Sequence, residues 1–189
     1  MRLWVISDLH MESHRTFDPK RPEFDVLVCA GDVYNDIVVA IGMVRAIAGN
    51  KLAIFVPGNH EWWGDLTLQE TIERGHAAAD RAGICFLECD SYDIGDVRFS
   101  GATLWTQDDP RFHASMQYLQ SARADVVVTH FEPPPAALVS VGARLWIHGH
   151  HHGHEDLQTG RTRLIRNAGY PGEAVPDGEP VREDFVVEI

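Results

Sequence analysis

Five short apolar runs, each broken off at a cluster of Asp, His or Asn, constrain this chain more than any other feature. Leu3–Ile6 leads into Ser7-Asp8-Leu9-His10, Val26–Ala30 into Gly31-Asp32, and Leu52–Val56 into Pro57-Gly58-Asn59-His60-Glu61. Val126–Val128 then runs into Thr129-His130, and Leu145–Ile147 into His148-Gly149-His150. Continuous runs of this length, rich in β-branched residues, predict strands buried on both faces.

Helical patterns separate several of these strands. Ile37, Ile41, Val44 and Ala48 share one stripe, with Asn35 or Asp36 as its cap and Gly49-Asn50 as its end. A second helix starts at Thr67, with Glu70 completing a capping box, Leu68, Ile72 and Ala79 on its apolar face, and Gly83 as its stop. Tyr92–Trp105 reads as a hairpin turning at Gly95-Asp96, and Ala114–Ala122 as a short helix. Strands return at Arg163–Arg166 and Asp184–Glu188. Without a linker, repeat or low-complexity stretch, residues 1–189 read as a single α/β domain.

Charge and cysteine usage narrow the function classes. A formal charge of −12 opposes non-specific binding to nucleic acid or anionic membrane, which needs clustered Lys and Arg. It leaves room for a phosphorylated small molecule, because bound cations reverse the local field. No run approaches the roughly 18 apolar residues of a membrane span, and no cleavage signal follows the first strand, so a cytoplasmic protein is expected. The three cysteines, Cys29, Cys85 and Cys89, form no disulfide framework, and the last two lack the second pair that a zinc site needs.

In open α/β folds the loops after the strands converge on the ligand crevice. Here that rule collects Asp8, His10, Asp32, Asn59, His60, His130, His148, His150 and His152. Such groups gathered at one edge of a buried sheet need a cation to offset desolvation and repulsion. In extended chain, Asp8 and His10 project the same way, and so do His150 and His152. The mixture of carboxylate, imidazole and amide oxygen suits manganese, iron, zinc, cobalt or nickel. Even with His60 and His148 set aside, the seven remaining candidates exceed one open tetrahedral site, so two divalent ions sharing a carboxylate are expected.

Asp8-Leu9-His10, Gly31-Asp32, Gly58-Asn59-His60-Glu61, Thr129-His130 and Gly149-His150-His151-His152 together resemble the calcineurin-like metallophosphoesterase family, in the family's order. The tail Asn167-Ala168-Gly169-Tyr170-Pro171-Gly172 resembles its bacterial members. The resemblance implies a four-layer αββα sandwich of two mixed sheets flanked by helices, with the metal site at the carboxyl ends of strands. It implies that Asp8, His10 and His152 hold one ion, that Asn59, His130 and His150 hold the other, and that Asp32 bridges them. It also implies hydrolysis of a phosphomonoester or phosphodiester by in-line attack of a metal-bridging hydroxide, with His60 assisting the leaving group. Glu61 is expected to orient His60 or a ligand from behind.

Other residues carry weaker signals. His148 is expected behind the ligands, His151 turned away from them, and Trp62 and Trp63 in loop packing. Glu12, His14, Arg15, Arg111 and His113 are the remaining substrate-contact candidates, with Arg15 or Arg111 able to hold a phosphate oxygen. Compared with many relatives the segments Gln107–Asp125 and Phe131–Gly142 are short, which predicts an open, shallow cleft. Two other functions compete on the same scaffold: a non-catalytic protein-interaction domain, and a nuclease, which the acidic balance opposes.

Overall fold

The computed structural model describes residues 1–13, 16–172 and 179–189. Two mixed sheets stack face to face between two helical layers. The first contains β1 (Arg2–Ile6), β2 (Val26–Cys29), β3 (Leu52–Phe55) and β4 (Cys85–Phe86), all parallel, with β11 (Val186–Glu188) antiparallel at the edge beside β1. The second runs in the order β5 (Asp90–Ile94), β6 (Val97–Ala102), β7 (Val126–Thr129), β8 (Leu145–His148), β10 (Thr162–Ala168), β9 (Gly153–Thr159). Its four central strands are parallel and its two edge strands antiparallel.

Alternation along each buried strand builds three apolar layers. Leu3, Val5, Val26, Val28 and Ile54 face Val126, Val128, Leu145, Ile147 and Ile165 across the sandwich. Trp4, Ile6, Leu27, Cys29 and Phe55 point the other way, onto α1 (Ile37–Ala48) and α2 (Leu68–Ala82). Val127, Trp146 and Leu164 pack under α3 (Pro110–Ala122) and α4 (Pro135–Val141). The four-layer αββα arrangement is therefore present, and it explains why these strands read as unbroken apolar runs.

Several local expectations hold, and several need correction. Asp36 rather than Asn35 caps α1, accepting from the N–H groups of Val38 and Val39. Thr67 and Glu70 form the capping box of α2, and Gly83 closes it in the left-handed conformation. The α3 helix begins at Pro110, not Ala114, because Asp109 caps it and proline suits a first helical position. The short segment Phe131–Gly142 contains α4, and the polar stretch Gly153–Thr159 is a strand with no counterpart in the sequence reading. Among the described residues, no helix is long and apolar enough to cross a membrane.

Candidate metal centre

The strand ends of both sheets meet at one edge. A parallel bridge between Ser7 and Ala168 joins the sheets there, and the Gly169 N–H donates to the Ser7 carbonyl at 3.1 Å. Backbone bonds then tie the loops together: Asp8 N–H to Gly31 O, His10 N–H to Asp32 O, and Gly149 N–H to His130 O, all at 2.9–3.0 Å.

The direction of the ligand candidates does not come from extended chain. Asp8, His10, Asp32 and His150 have φ of 62°, 44°, 53° and 64°, the left-handed region that non-glycine residues rarely occupy. Each follows a strand abruptly, so its side chain swings across the sheet end. Such conformations cost on the order of 1–3 kcal/mol each and persist where the surroundings over-determine them. Motif glycines supply the space. A Cβ on Gly58 would collide with the Asp32 carboxylate, and one on Gly149 with Ser7 Oγ and Asp8 Oδ2.

Three groups of donors form among the described residues, one of them His10, Glu12 and His60, and the other two contain the expected ligands. Asp8, His10 and His152 bring one ligand atom each within 4.8 Å of one another, and so do Asp32, His130 and His150. Asp32 Oδ2 lies between them, 3.3 Å from His130 Nε2 and 3.8 Å from His10 Nε2. Asn59 Oδ1 is 3.0 Å from His130 Nε2 and so belongs with the second group.

The protonation pattern suits cations. His130 Nδ1 sits 2.7 Å from the Ala30 carbonyl, which only accepts, so Nδ1 carries the proton and Nε2 faces Asp32 and Asn59. His10 Nδ1 faces a Glu12 carboxylate oxygen at 3.1 Å, which leaves its Nε2 pointing at His152 Nε2, 3.3 Å away. Asp8 Oδ1, buried and without a hydrogen-bond partner, lies 3.7 Å from His152 Nε2. Imidazole nitrogens and carboxylate oxygens thus converge in both groups; against the effect of burial, Asp32 raises His130 to about 9, so that without an ion its Nε2–H is shared between Asp32 and Asn59. Burial, then the neighbouring His130, push His150 down to about 4, and burial lowers His10 and His152 as well. Neutral imidazole is the metal-ligating form. Burial raises Asp8, with His130 opposing. Burial also acts to raise Asp32, but His130 and His60 together outweigh it and hold that carboxyl low. The carboxylate, imidazole and amide donors suit borderline divalent metals.

His60 stands at the first group's side. Its Nε2 is 3.9 Å from Asp32 Oδ2, while its Nδ1 meets Glu12 Oε1 at 2.9 Å and Asn35 Oδ1 at 3.0 Å. Its ring stacks on Trp63 at 3.6 Å, so Trp63 supports this histidine rather than merely filling a loop. Glu12 and Asn35 were not read as partners of His60; only the packing of the three loops reveals them. Glu61, buried, accepts from the N–H groups of Asp32, Val33, Tyr34 and Gly58 at 2.6–3.2 Å. It therefore clamps the Asp32 loop to the Asn59 loop and leaves His60 to Glu12. Ser7 Oγ, also unforeseen, donates to Asp8 Oδ2.

Other candidates lie elsewhere. His148 is buried with its nitrogens on Glu155 Oε2 and the Gly149 carbonyl, outside both groups. Arg111 is not free to hold a phosphate oxygen: it forms a two-point pair with Asp109 and covers the Trp105 ring at 3.2 Å. His113 is exposed and edge-on to Phe112. His151 is exposed, 3.8 Å from Glu132. Arg15 and His14 fall outside the described residues.

Comparison with known proteins agrees with this layout. No curated protein matches the chain. Among solved structures, phosphopantetheinyl hydrolase from Mycobacterium tuberculosis is similar, with TM-score 0.62 and 17% identity over 89% of each chain. A putative 5'-nucleotidase from Staphylococcus aureus matches with TM-score 0.55 and 16% identity, over 87% of this chain and 48% of that one. At such identities these show a shared fold. The profile of the calcineurin-like phosphoesterases matches residues 1–154, a span that contains every strand-end cluster described above, and the chain belongs to that family.

Proposed function

We propose that the protein is a dinuclear metal-dependent hydrolase of phosphomonoesters or phosphodiesters. Asp8, His10 and His152 hold one ion, Asn59, His130 and His150 the other, and Asp32 is shared. The observation that carries this reading is the meeting of two groups of metal-ligating side chains on a single carboxylate, with Asp32 Oδ2 within 3.8 Å of an imidazole nitrogen of each. When bound, two divalent ions neutralise charge on phosphoryl oxygens and acidify water.

The chain's own residues do the remaining work. Asp32 keeps the two groups at one separation, and Glu61 keeps the Asp32 loop from relaxing. His60, with Nδ1 engaged by Glu12 and Asn35, presents Nε2 toward the site. As water's oxygen bonds to phosphorus and the ester P–O bond breaks, a proton on that Nε2 passes to the departing oxygen. Stacking on Trp63 fixes the ring plane during the transfer.

The test is elemental analysis of freshly purified protein, followed by rates on p-nitrophenyl phosphate, bis-p-nitrophenyl phosphate and single-stranded DNA. About two equivalents of a divalent transition metal and hydrolysis of a small ester support the reading. Full activity in metal-free protein would overturn it, and a preference for DNA would reassign it to a nuclease.

A further inference from the structure

A cleft of about 330 Å³ opens beside His150, walled by Trp105, Phe112 and Phe131, with exposed Gln107 and Glu132 among its lining residues. We propose that this cleft binds the organic group of the ester and selects one that is flat, aromatic and uncharged. The proposal rests on the phosphoesterase reading and names the substrate class of that same site.

Position comes first. Phe131 directly follows His130, and its ring lies 4.2 Å from that of His150. Aromatic surface therefore begins where the second donor group ends, and a group esterified to a phosphate held there would reach it. The volume sits at the small end of the range for ligand pockets, about 300–1,000 Å³, enough for a single ring system.

The backbone is bent to build this wall. Leu104 and Trp105 have consecutive positive φ values of 72° and 57°, which non-glycine residues rarely adopt. The bend ends β6 and sets Trp105 6.0 Å from Phe131 and 5.9 Å from Trp62. Arg111, tied to Asp109, covers one Trp105 face and leaves the tilted rings of Trp105 and Phe131 to offer faces and edges to a planar guest.

Charge selects further. No Lys or Arg lines the cleft among the described residues, and the only carboxylate is Glu132, 3.8 Å from His151. A carboxylate or second phosphate on the guest would meet Glu132 with no Lys or Arg in the lining to balance it, in a protein of net charge −12. Gln107 offers an amide to the edge of a neutral heteroaromatic ring.

The experiment compares kcat/KM of the metal-loaded, full-length protein for 2-naphthylmethyl phosphate and ethyl phosphate, and for their methyl diesters. The naphthylmethyl ester is expected to be favoured by about tenfold or more in whichever class is hydrolysed. Calorimetry should show the same order for 2-naphthylmethylphosphonate over ethylphosphonate. Trp105→Ala should bring the kcat/KM ratio to within about twofold of unity. Should that variant fail to fold, Glu132→Lys at the exposed rim decides: it should raise kcat/KM for 6-carboxy-2-naphthylmethyl phosphate about fivefold or more relative to the uncharged ester. Equal turnover of aryl and ethyl esters, or no response to Glu132→Lys, overturns the cleft assignment alone. Hydrolysis of neither ester by protein shown to hold metal overturns it together with the phosphoesterase reading.

Discussion

Glu12 and His60 are joined through a single hydrogen bond of 2.9 Å, from the imidazole Nδ1 to the carboxylate Oε1, and the same oxygen lies 3.1 Å from Nδ1 of His10. One carboxylate thus sets the ring orientation of a candidate metal ligand and of the candidate proton donor. Replacing Glu12 by Ala should lower kcat by about 10–100-fold, the usual penalty for losing such an outer partner. The loss should be greater for alkyl phosphates than for p-nitrophenyl esters, whose departing oxygen needs little help from His60. Kinetics on both ester types, with metal content measured alongside, checks this. An equal loss on both would assign Glu12 to His10 alone.

Asp32 is the carboxylate common to both donor groups. Asp32→Asn should strip most of the metal and depress activity beyond the roughly 100-fold expected of an outer partner. Mass spectrometry under native conditions and turnover of bis-p-nitrophenyl phosphate read the two effects. Retention of both ions with full activity would contradict the sharing.

Chelation should destabilise the fold as well as silence it. Asp8 Oδ1 has no hydrogen-bond partner, and ring nitrogens of His10 and His152 converge on the same space. Ion binding at about 1,000 times the dissociation constant adds about 4 kcal/mol. For a chain of this size that corresponds to a Tm rise on the order of 8–16 °C. Differential scanning calorimetry before and after chelation measures it; an unchanged Tm would argue against a native cation site.

Gly149→Ala tests the packing behind Asp8. The added Cβ would meet Ser7 Oγ and, at 2.5 Å, Asp8 Oδ2. Overpacking of this kind typically costs about 1–3 kcal/mol. Urea unfolding should show that loss, and the displaced Asp8 should weaken metal retention with it. Gly160→Ala is a poor control for strain, since that glycine has φ of 59°, but Gly42, with open space around it and an ordinary helical φ, is a fair one.

Glu88 links stability to pH away from the metal groups. Burial lifts its pKa from 4.5 to about 7, although Thr103 hydrogen bonds and Arg111 pull the other way. A carboxyl raised in the folded state contributes its full stability while protonated, below the unfolded value near 4.5, and loses it as pH climbs through about 7. Glu88→Gln should therefore match the wild type at about pH 4 and exceed it by about 1–3 kcal/mol at about pH 8. Urea titrations at the two pH values decide; a constant difference would remove Glu88 as the cause.

What could be read without coordinates follows from burial and locality. Val26–Cys29 and Val126–Thr129 are covered on both faces, so their composition alone announces strands. The ligand candidates were legible because each lies close after the end of such a run. Strand β9, Gly-His-Glu-Asp-Leu-Gln-Thr, was not: it is half-exposed, pairs only with β10, and has no apolar alternation to betray it. The partnership of Glu12 and Asn35 with His60 joins loops 48 and 25 residues apart, a relation that no local pattern encodes. Arg111 looked available as a loop cation, yet Asp109, two residues before it, neutralises it because both belong to the first turn of α3.

The donors are divided between the two sheets: Asp8, His10, Asp32 and Asn59 follow strands of one, His130, His150 and His152 strands of the other. Ions held there would rivet a laminate. Slippage of one layer past the other by even part of a strand step would spread the donors before any helix unwound. Trimming Val5 or Ile147, both fully buried in the seam between the layers, should therefore show first as faster metal exchange in a protein whose circular dichroism is unchanged.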